Sequence, residues 1–504
     1  MRHFKTSMRY SCYTFLYVFT IFAASFMYTE QITIREKVGY SLGDVAANLV
    51  FQMIVVYQLK FYTDIFGLEG AIAGSILLIA RVIDAFIDPA VGIMTDHTKS
   101  RWGKYRPWIL WTALPFSVFY LLAFINPGIE DKALLALYAT VTHVLLMVTY
   151  SLNNTPYAAL GGVMTGSISQ RNSLNNIRFM GAGAAQIVVM GLTLPLVSSL
   201  GKGNDARGWT LTIGLYAVFC LVCLLITFFT TRERITPSPR QQQSIRSDIK
   251  EVFASVSWRS LFVLTFFLFI SLSLWGASSN FYFRHYVNQY ELQLFLCGLG
   301  LNVESEAEAY TIGFSLFNVI GALVQFIGIA TLSQPLARRF GKHMTFMVCL
   351  PLTALFTAAF FLPMPGDIGF MFLLCILKSL VYAPTVPMLW SMMGDVADHI
   401  EYEGHRRATG FCFSGMVFAL KAGIGMGGAL AGFILSMFGY IPGENALQND
   451  SAVWGICIAT SILPALLLLA AVAALLHYPI TKQFNQYMQA QLSSRRKYRH
   501  QDVD

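Results

Sequence analysis

Within the largely apolar residues 74–94, three ionisable side chains fall at i, i+3 and i+7: Arg81, Asp84 and Asp88. On a helix this spacing puts all three on one face, about one turn apart. Left facing lipid, each would cost about 2.5–3.5 kcal/mol, so they must face a cavity or one another. Two carboxylates four residues apart offer oxygen ligands to a hard monovalent cation such as Na+. They can equally share one proton, because like charges at short range disfavour double ionisation. A purely structural pair of Arg81 with either acid is the third reading. One Arg does not neutralise two acids, and the excess negative charge favours the ion-binding readings. Pro89 follows Asp88 directly and leaves a backbone carbonyl one turn earlier without its donor, which permits a local bend.

Other polar groups interrupt apolar stretches in the same way. Asp44, Asn48 and Gln52 recur at i, i+4 and i+8; Tyr150, Ser151, Asn153 and Asn154 precede Pro156; Asn175, Asn176 and Arg178 cluster further on; Lys378 and Lys421 stand in later stretches. Asn and Ser in such places also bond neighbouring helices. A cation needs an anionic partner or a water-filled cavity, which singles out Arg178 and Lys421. Amides, cations and aromatic rings around a central cavity suit a polyhydroxylated ligand, and the same inventory fits an amino acid or a nucleoside.

The elements that must position these residues follow from composition. Of 504 residues, Asp, Glu, Lys and Arg make only 12%, while hydrophobic residues reach 55% and aromatic ones 14%. The mean hydropathy is +0.56. So few charges cannot cover that much apolar surface in water, which excludes a soluble enzyme and a disordered scaffold. Twelve stretches are long enough to cross a bilayer as helices, near 40–63, 68–95, 107–127, 133–163, 174–200, 208–230, 259–287, 309–333, 343–363, 368–393, 409–438 and 452–477. The expected fold is an all-α membrane protein of twelve transmembrane helices in two six-helix bundles.

Lys and Arg crowd alternate loops: Lys99, Arg101, Lys104 and Arg106; Arg232 to Lys250; Arg338, Arg339 and Lys342; Arg406 and Arg407; and the tail. That asymmetry predicts a multi-pass protein of the cell (inner, cytoplasmic) membrane with both termini cytoplasmic. The net charge of +8 is dispersed in these loops and forms no nucleic-acid stripe. The polar connection 231–257 divides the chain into bundles at 36–230 and 258–480, with a tail at 481–504. Both halves carry a short basic loop with Gly-Lys after their second span, at Gly103-Lys104 and Gly341-Lys342, as a duplicated bundle would. Residues 1–35 read as an overcalled start, with Met27 the initiator, or a peripheral helix; a signal peptide and a thirteenth span are the other options. Cys220 and Cys223 have CxxC spacing inside an apolar helix with no partner pair, so no metal or redox cofactor is expected.

Several segments together resemble the glycoside–pentoside–hexuronide:cation symporters of the major facilitator superfamily, the melibiose permease-like proteins. They are EKVGYSLGD (36–44), FYTD (61–64), ARVIDAFIDP (80–89), SRWGKYRPW (100–108), Asp395, Asp398 and Glu401-Tyr402, RRATG (406–410) and KAG (421–423), and the likeness spans nearly all of 36–480. The resemblance implies a coupling-cation site at Asp84 and Asp88, with Ser151 where melibiose permease has threonine. It also places Tyr150, Arg178 and Lys421 in the sugar cavity. The two sugar-binding aspartates of that permease correspond to Asn48 and Asn154, which cannot make charge-assisted bonds to hydroxyls. An α-galactoside therefore fits poorly, and an acidic sugar with Arg178 and Lys421 as counter-charges becomes conceivable. Ile87 replaces an asparagine and tilts the expectation towards protons. Residues 288–308 form an apparent insertion.

The expected function is symport of a sugar or glycoside with H+ or Na+ by alternating access, by a monomer in lipid. Arg81, Asp96, Arg101, Asp395 and Asp398 are the expected gating and salt-bridge residues. An integral-membrane enzyme on a lipid-linked substrate would need a nucleophile–base pair or a motif such as HExxH, and ATP-driven transport would need GxxxxGK[ST]; the sequence has neither motif. A non-transporting sugar sensor would need a longer appended domain.

Overall fold

A computed structural model describes residues 32–165, 168–234, 252–404, 409–443 and 446–501. The N-terminal segment, most of the 231–257 connection, and Arg406 and Arg407 lie outside these. Among the described residues, eleven helices are long and apolar enough to cross a membrane. They begin with Ile34–Val56 and Gly70–Gly92 (part of a longer helix, Gly70–His97) and end with Gly415–Met437 and Asp450–Leu475. The third apolar stretch is helical over Arg106–Leu122, 17 residues, with Pro107 in its first turn. The twelve helical stretches are called spans one to twelve below. Side chains such as Trp111, Val218, Phe219 and Phe229 are exposed around the outside, as apolar groups are when the surrounding medium is lipid.

Capping residues start many of these helices. Thr33 and Glu36 form a reciprocal capping box on span one, Asp131 caps span four through Ala133 and Leu134, and Asn449 caps span twelve through Ala452. The 288–308 insertion folds into a short helix, Gln289–Gly298, capped by Asn288. Leu292 is buried there and packs against span eight, where a Cβ at Gly313 would lie 2.8 Å from it.

The packing repeats between the halves. Span one packs on five and six, two on four, and three on four and six. Seven packs on eleven and twelve, eight on ten, and nine on ten and twelve, the same set shifted by six. The main contacts between the halves, two with eleven and five with eight, obey the same rule. A duplicated bundle related by a pseudo-two-fold produces this pattern.

The small residues of span eleven set its position. Cβ atoms at Gly423 and Gly427 would lie 2.7 and 2.5 Å from the span-seven carbonyls of Phe266 and Ile270. On another face, a Cβ at Gly432 would lie 2.2 Å from the Gly70 carbonyl, and one at Gly425 would lie 2.5 Å from the Arg81 side chain. Span eleven thus touches spans seven and two at backbone distance, which only small residues allow. This close approach brings Lys421 to the acids of span two.

Candidate ion site and substrate cavity

Arg81, Asp84 and Asp88 share one face of span two, as their spacing requires, and span four meets that face with Ser151 and Thr155, also one turn apart. Ser151 Oγ donates to Asp84 Oδ1 in a short hydrogen bond, and Thr155 Oγ1 donates to Asp88 Oδ1 at 3.4 Å. Lys421 of span eleven reaches both acids. Its Nζ lies 3.0 Å from Asp84 Oδ2, at a slant that makes this an ion pair more than a hydrogen bond, and donates directly to Asp88 Oδ2. Arg81 Nη1 stands 3.8 Å from Asp84 Oδ2. Asp84 is fully enclosed, whereas the Asp88 side chain is 24% exposed. The excess negative charge inferred from one Arg and two acids is therefore offset by Lys421, which sequence reasoning had set aside for substrate. Asp88 nevertheless keeps part of its side chain exposed.

The oxygens of Asp84, Asp88, Ser151 and Thr155 gather in one cluster, a donor set of the kind that hard monovalent cations take, and Lys421 occupies it in this structure. Thr155 escaped the sequence reading, although its i+4 spacing from Ser151 mirrors that of Asp88 from Asp84. Among the described residues, Arg81 Nη2 and both ring nitrogens of buried His143 have no hydrogen-bond partner. Both residues border a cleft of about 10 Å³, near the size of one water.

Arg178 is committed elsewhere. Its Nε lies 3.0 Å from Asp44 Oδ1, and its guanidinium stands 5.6 Å from the centre of the Tyr157 ring. Asn48 Nδ2 donates to the carbonyl of Asp44 one turn back, while the Tyr150 ring is tilted near Phe116, 6.1 Å between ring centres, and Asn154 is half-buried.

A cavity of about 340 Å³ lies between the halves, with walls from spans one, five, seven, eight, ten and eleven. None of Asn48, Tyr150, Asn154, Arg178 and Lys421 lines it. Its polar wall comes instead from Gln52, Gln186, Asn318, Gln325 and Lys378, with Trp275 beside Lys378. Gln52 and Lys378 stand out in the sequence as polar residues within spans, but nothing there ties them to Trp275.

Of the expected gating residues, Asp395, Asp398 and Arg101 have their described contacts within one half. Asp395 pairs with Lys342 at 2.6 Å, and Asp398 accepts from Gln489 at 2.8 Å, all in the second half. Arg101 lies over the Trp102 ring, with its guanidinium carbon 4.6 Å from the ring centre. Asp96 is in the last turns of span two, and its side chain lies outside the described residues. Polar contacts between the halves were missed in the sequence: Tyr440 Oη donates to Asp64 Oδ1 at 2.8 Å, and Ser436 donates to Glu69. Asp64 also pairs with buried Lys60 at 3.0 Å, within a π-helical turn, Phe61–Ile65.

The sequence profile of the family described as MFS/sugar transport protein matches residues 39–482. The inner membrane symporter YicJ of Escherichia coli (strain K12) is 34% identical over 460 residues, covering 90% of this chain and 94% of its own. The isoprimeverose transporter of Lactiplantibacillus pentosus is 31% identical, covering 91% of each chain. A solved structure of a proton-dependent oligopeptide transporter aligns with a TM-score of 0.62 at 12% identity, over 90% of this chain and 99% of that one, a likeness of fold alone. With a profile match across nearly all of both halves and transporter relatives above 30% identity over about nine tenths of each chain, the chain belongs to the MFS sugar transport proteins.

Proposed function

We propose that the chain is a secondary active transporter carrying a sugar or glycoside together with H+ or Na+ by alternating access, with Asp84 and Asp88 receiving the cation. The position of Lys421 carries this reading. A lysine of the second half fills the space between two carboxylates of the first, so it competes with any cation for the same oxygens. Opposite unit charges at about 3 Å attract by roughly 5 kcal/mol at an effective dielectric of ~20. Moving a two-state equilibrium from 1:99 to 99:1 takes about 5.5 kcal/mol, so making or breaking this link is large enough to bias the two orientations of the halves. Na+ would replace the ammonium among the oxygens; a proton would neutralise one acid and loosen its hold. Ser151 and Thr155 keep both carboxylates oriented in either case.

The basic loops assign the end carrying Asp64, Glu69 and Tyr440 to the outside, with both termini in the cytoplasm. The described molecule, closed there by Tyr440–Asp64 and Ser436–Glu69, is then closed outward. One chain supplies both halves and the whole cavity, consistent with a working monomer. The relatives are transporters, which favours transport over chemistry on a lipid-linked substrate.

The test uses the full chain in proteoliposomes with imposed Na+ or H+ gradients. One of the two gradients should drive uphill sugar accumulation in the wild type. Lys421→Gln should retain downhill exchange and lose accumulation by at least tenfold; undiminished accumulation would remove Lys421 from the coupling.

A further inference from the structure

Four cations within the spans, Lys60 and Arg81 buried and Arg178 and Lys421 half-buried, each have a carboxylate: Lys60 has Asp64, Arg81 has Asp84, Arg178 has Asp44, and Lys421 has Asp84 and Asp88. Lys378 differs. It is buried in the wall of the 340 Å³ cavity, and its Nζ lies 2.9 Å from the centre of the Trp275 ring. Among the described residues no carboxylate lies within ion-pairing distance of it, and neither Asp nor Glu lines the cavity. A cation–π contact is worth about 2 kcal/mol when desolvated, whereas burying an ion costs several kcal/mol, so the ring alone does not offset the charge. The Trp275 indole N–H is buried beside it, with no acceptor among the described residues. The cavity therefore presents an ammonium and a spare donor together, with amides of Gln52, Gln186 and Gln325 on other walls.

We infer that this cavity takes a sugar derivative carrying one negative charge, a carboxylate or a sulfonate, with that charge seated at Lys378 beside Trp275. The amides then face the ring hydroxyls, each able to donate and accept. A volume near the lower end of ligand pockets, which run from about 300 to 1,000 Å³, suits one or two sugar rings. The expectation of Arg178 and Lys421 as counter-charges gives way to Lys378, because the other two cations already have acids. The polyol part of this inference rests on the sugar-transport reading; the anionic part rests on the cavity itself.

The experiment measures counterflow and tryptophan quenching with the full chain reconstituted in liposomes. The probes are methyl glucoside, methyl glucuronide, the 6-sulfo analogue of methyl glucoside, and a simple non-sugar carboxylate and sulfonate. At least one anionic glycoside should show a KM tenfold or more below that of the neutral one, and the carboxylate and sulfonate arms identify which charge is used. Lys378→Gln should collapse that ratio towards one, and Lys378→Arg should keep it. If Lys378→Gln does not fold, Gln325→Glu adds a carboxylate to the cavity wall and should reduce the anion preference by a similar factor. Equal or better handling of the neutral glycoside by the wild type overturns the proposal, as does a ratio unchanged in folded Lys378→Gln. Lys378-dependent quenching by the non-sugar anions, with no response to any glycoside, would keep the anion site and remove the sugar reading. Quenching by no anion in a Lys378-dependent way overturns the site.

Discussion

Asp84 and Asp88 are one turn apart on one helix yet stand in different surroundings. Asp84 is enclosed and held by Ser151, Lys421 and Arg81, while Asp88 keeps a quarter of its side chain exposed and leans on Lys421 and Thr155. Removing one partner of a buried ion pair leaves an uncompensated charge and costs about 3–5 kcal/mol. Asp84→Asn should therefore lower the melting temperature of the detergent-purified chain markedly, because it strands Arg81. Asp88→Asn leaves Lys421 paired to Asp84, so it should melt close to the wild type and still lose gradient-driven accumulation. Equal melting of the two variants would contradict this asymmetry. The Arg81–Asp84–Asp88 face was legible because all its information lies within eight consecutive residues. Lys421 as their partner was not, since it stands 333 positions from Asp88 and only the packing of span eleven brings it in. Trp275 as the platform for Lys378 was hidden for the same reason.

Hydropathy alone located the twelve helices, because length and apolar content are what a bilayer demands of each span. The repeated Gly-Lys loops were visible too, but not what holds them. Gly103 has φ of 107° and Gly341 has φ of 82°, a region favouring glycine, although the first loop runs over 98–105 and the second is Gly341 alone between two helices. In the first, backbone N–H groups of Lys104, Tyr105 and Arg106 donate to the carboxylate of Glu233, just beyond span six. In the second, Lys482, just beyond span twelve, donates to the carbonyls of Arg338 and Arg339. Each clasp joins the end of a half to its second–third loop, with the charge suited to the helix end it meets: an anion at the N-terminus of span three, a cation at the C-terminus of span eight. A hydrogen bond to a charged group contributes about 1.5–3 kcal/mol. Glu233→Ala, which leaves three donors without this acceptor, should lower the melting temperature by several degrees, and Lys482→Ala by less. A Glu233→Ala midpoint equal to the wild type would show that the clasp contributes nothing to stability.

At the scale of the whole molecule, function depends on how firmly the halves are joined at each end. The contacts described here tie them at mid-depth through Lys421 and at one end through Tyr440–Asp64 and Ser436–Glu69, while among the described residues a Cβ at Gly92, Gly162 or Gly394, towards the other end, would meet no atom within 4 Å beyond its own helix and chain neighbours. If the two orientations differ by a few kcal/mol, losing one hydrogen bond to a charged acceptor, about 1.5–3 kcal/mol, shifts their ratio by roughly 10- to 150-fold. Tyr440→Phe removes the donor to Asp64 without changing the packing of its ring against Phe281, at 5.3 Å between ring centres. The substitution should move the population towards the form open at that end. Cys297 is exposed among the described cysteines and Cys375 lines the cavity, so a background with Cys12, Cys297 and Cys375 replaced by Ser, carrying Ser379→Cys in the cavity wall, gives one reporter of access. With a membrane-impermeant maleimide added outside intact cells, Tyr440→Phe should label Ser379→Cys at least tenfold faster than the same background with Tyr440 intact. Equal outside labelling would mean that this contact does not hold the closed end. Faster labelling from the cytoplasmic face alone would mean that the end carrying Tyr440 faces inward, reversing the orientation assigned from the basic loops.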